Sequence, residues 1–109
     1  MKITIIGTTA YQDRMHKHVE EMTEKGHEVR IPAFDNHSAD FDELDICEYN
    51  RNLIEWADEI HMFWDGRSIG TIGDFFVAFA LRKPVKIIYL ESKTIRNVML
   101  KYAEKCNQA

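Results

Sequence analysis

Short β-branched or aromatic runs alternate along this chain with longer stretches in which apolar residues recur every three or four positions. The run Lys2–Ile6 ("KITII") predicts a first strand, closed by Gly7. Met15, Val19 and Met22 fall on one stripe of a helix from Ala10 to Lys25, which Gly26 stops. His27–Ala33 reads as a second strand with Pro32 marking its end. Phe34–Glu43 is a polar loop. Its acidic run "DFDELD" is best taken as solvated loop and helix start. A second helix follows from Leu44 to Ala57, with Ile46, Asn50, Leu53 and Ala57 on one face. Glu59–Trp64, Ile72–Arg82 and Pro84–Leu90 predict strand, helix and strand. Ile95, Val98, Met99 and Tyr102 predict a last helix over Ser92–Lys105, packed like the others.

Strands alternating with helices of ten or more residues predict a parallel sheet with helices on both faces. The fold class is therefore α/β: one domain spanning residues 1–109, a Rossmann-like three-layer sandwich on a four-stranded parallel sheet. Right-handed crossovers favour the strand order 2-1-3-4. The direction of winding then reverses between strands one and three, and ligands of such sheets bind at the carboxyl ends of the strands at that reversal.

Composition narrows the partners. A net charge of −4 argues against binding a nucleic-acid polymer, but not against a small anion held by backbone amides. The longest apolar run, Phe75–Leu81, is far short of the ~20 residues of a membrane span. The N-terminal apolar stretch is also too brief for a signal peptide. Cys47 and Cys106 match no metal or redox spacing, which favours reduced thiols and a cytoplasmic setting. Neither a metal nor a cofactor is expected.

The two loops at the expected reversal are the most unusual in the chain. The first, Gly7, Thr8 and Thr9, runs into a helix and leaves backbone N–H groups at its positive end. The second, "DGRSIGT", contributes Asp65, Gly66, Ser68, Gly70 and Thr71. Alone, each is an ordinary turn and N-cap. Together they suit phosphate, ribose hydroxyls or both.

Asp74 opens a helix otherwise made of Phe, Val, Ala and Leu. A carboxylate in a first turn is favoured by the helix dipole. A helix without a polar face must also be buried on nearly all sides, so the acid should sit at the cleft with limited water. Asn50 lies on the apolar stripe of the second helix, either bonded to backbone or touching ligand. Tyr11 begins the first helix at the cleft, where it either stacks on a base or joins the core. His16 and His18 face different ways, His61 reads as packed, and His37 sits in the polar loop, where it is a candidate to close over a ligand.

The string "WADEI…WDGRSIGT…D…AFALRKPVKII", extended back to the first loop, resembles the nucleoside 2-deoxyribosyltransferase-like superfamily over most of the chain. "DGRSIGT" also looks like a loop of the related SLOG proteins, which sense or process nucleotides. In the transferases and the related nucleotide N-hydrolases a Glu attacks C1′ of deoxyribose, and an acid on the preceding helix assists the leaving base. The resemblance places the nucleophile at Asp74, one methylene shorter, and the helper near Asn50, which cannot exchange a proton. It therefore implies a nucleoside or nucleotide ligand with cleavage or transfer at the C1′–N bond. The alternative is a non-catalytic sensor or sequestering protein for a nucleotide-derived signal, such as an ADP-ribose derivative or cyclic nucleotide. The apolar surface of the helix over 72–82, with Phe75, Phe76 and Phe79, exceeds what one small sheet covers. It predicts a homodimer or higher homo-oligomer.

Overall fold

A computed structural model of the chain describes residues 1–33, 42–91 and 95–107. Residues 34–41, with His37 and most of the polar loop, lie outside the described residues. The element order is β1 (Lys2–Gly7), a 3-10 turn (Thr9–Tyr11), α1 (Gln12–Glu24), β2 (Glu28–Arg30), α2 (Glu43–Trp56), β3 (Glu59–Trp64), α3 (Ile69–Ala80), β4 (Val85–Leu90) and α4 (Ile95–Asn107). All strand pairs are parallel and the sheet order is β2-β1-β3-β4, the order that the alternation of strands and helices predicts. The architecture is a three-layer α/β fold.

Period-two alternation divides the core between the faces of the sheet. On one side Ile5 and Phe63 meet Tyr11 and Met15 of the first helical segment. On the other, Ile6, Ile60 and Met62 pack against Ile54 and Ala57 of the α2 end and Ala78 of α3. The acidic run does begin α2: Asp42 caps it, accepting from the Asp45 amide at 3.0 Å, while Asp45 accepts from the Asp42 amide at 3.0 Å. This reciprocal pair satisfies two donors that a helix start leaves open.

Three expectations change. β2 is three residues long, because only Lys2, Ile3 and Thr4 of β1 pair with it. α3 begins at Ile69 rather than Ile72, since Ser68 caps it. The last helix does not pack: α4 buries none of its residues. The radius of gyration, 16.3 Å, exceeds the ~13 Å of a compact chain of this length, as a projecting helix requires. Among the described residues no helix is long and apolar enough to cross a membrane. Cys47 and Cys106 are exposed and unpaired.

His61 is packed as expected, but against His18, whose Nε2 lies 2.6 Å from His61 Nδ1. His61 Nε2 is 3.0 Å from Glu59 Oε1, and exposed Lys86 reaches the same oxygen at 3.1 Å. A carboxylate only accepts, so His61 donates from Nε2 and offers Nδ1 to the Nε2–H of His18. Burial would raise the Glu59 carboxyl, but the bonds from Lys86 and His61 outweigh it and hold the group below its usual range. Burial lowers both imidazoles from their ordinary 6.5, and the neighbouring His61 lowers His18 further.

The unfolded chain therefore takes up these protons first. This contribution to stability is full above pH 6.5 and is lost as pH falls through the depressed folded values. Melting temperature is expected to drop on acidification across that window and to drop less in His18→Gln. The scan is best made in an Asp74→Asn background, which removes an opposing carboxyl described below. A flat profile there would overturn the assignment.

Candidate functional site

The carboxyl ends of β1 and β3 bring the two unusual loops side by side. Gly7 pairs with Phe63 across the β1–β3 ladder. A Cβ at Gly7 would stand 2.6 Å from the Phe63 carbonyl oxygen and against the Met15 side-chain terminus, so only glycine lets the strands approach here. Beyond it, the Thr8 hydroxyl oxygen accepts from the Ala10 amide at 3.3 Å and caps the 3-10 turn. In the second loop Asp65 Oδ1 accepts from the Arg67 and Ser68 amides at 2.9 and 2.8 Å, closing a turn in which Gly66 takes a left-handed φ of 78°. Ser68 then caps α3: its oxygen accepts from the Thr71 amide at 3.4 Å and the Thr71 hydroxyl at 3.1 Å.

These bonds use the hydroxyl oxygens of Thr8 and Ser68 as acceptors and leave their own hydrogens available to a ligand. The first-turn amides of Ile69 and Gly70 have no helical acceptor and face the same end. Small hydroxylated residues were favoured here by capping. The same chemistry makes the loops a donor-rich edge.

Between the loops lies a cavity of about 120 Å³, lined by Gly7, Thr8, Thr9, Ala33, Ile46, Asn50, Ser68, Gly70, Thr71 and Asp74. Most of the residues singled out from sequence thus meet in one place. Three do not line it. Tyr11 turns to the α1 face, where its ring meets Tyr89 edge-on at 5.0 Å and its hydroxyl donates to Glu91 at 3.4 Å. Asp65 and Gly66 shape the second loop from outside the cavity. Ala33 and Ile46 line the cavity without having been singled out. Ile46 had a signal, lying one helical turn before Asn50; Ala33 had none.

Asp74 occupies a different helical position from the one its sequence suggested. Because α3 starts at Ile69, Asp74 stands in the second turn, beyond the reach of the dipole that favours a first-turn acid. Burial raises its pKa from 3.8 to about 6. No hydrogen bond or ion pair to it exists among the described residues. Asn50 is more committed. Its Oδ1 accepts from the Ala33 amide at 2.8 Å and its Nδ2 donates to the Ala33 carbonyl at 3.4 Å, so it fastens the end of the β2 segment to α2. Among the described residues the cavity therefore holds one titratable group, Asp74, beside amides and hydroxyls.

Two glycines in α3 give this space a direct test. A Cβ at Gly73 would meet nothing within 4 Å, and at Gly70 only the Ser68 oxygen at 4.0 Å. In a helix interior Gly→Ala gains about 0.5–1 kcal/mol. Gly73→Ala is expected to raise the unfolding free energy in urea by that order and Gly70→Ala, in the first turn, by less, but only Gly70→Ala adds a methyl to the cavity wall. Ligand affinity should fall at least several-fold in Gly70→Ala and hold in Gly73→Ala. Equal affinities in the two variants would place the ligand elsewhere.

No family model matches the chain, and no curated protein or solved structure matches it either.

Proposed function

We propose that this cleft holds the sugar of a nucleoside or nucleotide and that Asp74 attacks the C1′–N bond, as in the nucleoside 2-deoxyribosyltransferase-like superfamily that the loop motif resembles. The observation that carries this reading is a carboxylate with a pKa of about 6, bonded to none of the described residues, lining a cavity of hydroxyl and amide donors at the sheet's carboxyl edge. Burying such a group is costly, and a shifted carboxyl in a cleft is a candidate for chemistry. The volume also points to the sugar. About 120 Å³ suits a single pentose, against the ~300–1,000 Å³ of sites that enclose whole ligands.

In the reaction, an Asp74 oxygen forms a bond to C1′ as the C1′–N bond breaks. The bonding pair leaves with the base nitrogen, which takes a proton from solvent. Water, or a second base, then attacks C1′ and releases the aspartate. Thr8 and Ser68 hydroxyls and the Gly70 amide orient the sugar hydroxyls or a phosphate.

One observation favours the second reading, a binder that leaves its ligand intact. Among the described residues Asp74 is the only titratable group lining the cavity, and Asn50 is tied to Ala33, so none of them protonates a leaving base. Such help is typically worth ~10²–10⁴ in rate.

Incubation with a mixed pool of nucleosides, deoxynucleotides and ADP-ribose-type nucleotides separates the two when free and protein-bound compounds are read by mass spectrometry. Free bases that accumulate, and cease to in Asp74→Ala, support the enzyme. One compound retained stoichiometrically and recovered intact supports the binder. If nothing is consumed or retained, both readings fall.

A further inference from the structure

We infer that α4 of a second copy of this chain docks into the apolar groove between α3 and β4, and that the exchange is reciprocal. The groove, about 400 Å³, is walled by Met62, Trp64, Ile72, Phe75, Ile87 and Leu90. It is an unfinished surface: Ile87 and Leu90 lie on the edge strand of the sheet, and Phe76 at its rim is 58% exposed.

The occupant is in the same sequence. Ile95, Val98, Met99 and Tyr102 recur at i, i+3, i+4 and i+7, the anchor spacing of a helix that lies in a groove. All four are more than half exposed, and α4 buries nothing on its own chain. An amphipathic helix of 13 residues draws its stability from packing that face, so α4 calls for a surface that the described residues of its own chain do not give it. The chain leaves β4 at Leu90, a groove wall, yet its own α4 leaves that groove open. A twofold pair satisfies both copies at once, since each gives a helix and receives one. Together with Phe76 and Phe79, these side chains carry enough apolar surface for an interface of the standard ~1,200–2,000 Å². Thr71 borders both the groove and the candidate cleft, so the docked helix steadies the N-terminal turns of α3.

The test is the mass of the full chain by light scattering or sedimentation at micromolar concentration. Wild type is expected to be a dimer, and Val98→Glu and Phe76→Glu each a monomer that keeps the cooperative unfolding of its α/β core and loses at most the helical signal of α4 from the far-ultraviolet circular dichroism. Both positions are exposed in the single chain, so neither variant removes its core. A wild-type monomer overturns the proposal. A Val98→Glu chain that stays dimeric does so too, because α3 faces would then pair without α4.

Discussion

Asp74→Asn is expected to abolish base release by at least a thousandfold and, in the same protein, to raise the stability of the fold. Few substitutions at a cleft are expected to move both quantities this way. The loss follows from chemistry, because an amide at that position does not form the glycosyl ester. The gain follows from electrostatics. Burial raises the carboxyl from 3.8 to about 6, so the folded chain binds its proton more tightly than the unfolded chain does. The carboxyl's favourable contribution is full below pH 3.8 and is lost as pH rises through about 6. Above that, the folded state carries a charge that water would hold better.

A shift of this size corresponds to about 1–3 kcal/mol, allowing for the water that reaches a partly buried group. Asp74→Asn should therefore melt several degrees above wild type at pH 8, a gap that closes toward pH 4. Base release by the wild type, on the proposed reading, is expected to have the opposite slope, rising with pH as Asp74 ionises near 6. If the variant is less stable than wild type at pH 8, Asp74 has a partner that stabilises it. If base release persists, Asp74 is not the nucleophile. Retention of an intact ligand by the wild type, without base release, would move the protein to the binding reading.

Gly7→Ala is expected to destabilise the chain by about 1–3 kcal/mol, the usual cost of forcing a methyl into filled space. The obstacle is the Phe63 carbonyl oxygen, 2.6 Å from the new carbon. A backbone atom in a sheet ladder does not swing aside as the Met15 terminus can, so β1 must separate from β3 at their carboxyl ends. Those ends support the cleft, and ligand affinity should fall with stability. Urea unfolding of the variant measures the first effect and titration of the ligand identified from the mixed pool measures the second. An unchanged midpoint would mean that the strands part there without cost.

The sequence discloses the same part of both positions. Gly7 was legible as a strand end and Asp74 as an acid in apolar company, because both are features of a few neighbouring residues. Why each matters was not. The contact that forbids a side chain at Gly7 comes from Phe63, and the burial that shifts Asp74 comes from packing of several elements. Asp74 also stands one helical turn further into α3 than the apolar run predicts. Ser68, a serine in a loop of small residues, caps α3 earlier than the apolar run suggests.

Local periodicity and the handedness of crossovers determined the order of elements, the parallel sheet with order β2-β1-β3-β4, and the edge at which two loops converge. These depend on spacing along the chain, and a single sequence carries it in full. Contacts between distant residues required the tertiary structure. His18 and His61, 43 positions apart, face each other only because α1 lies over β3. Tyr11 turns from the cleft because its ring finds Tyr89 on the opposite face. The stripe of α4 reads like that of any packed helix, and only the folded chain shows that none of its own described residues covers it. Periodicity states that a face is apolar; the three-dimensional arrangement decides whether the chain has a surface to bury it.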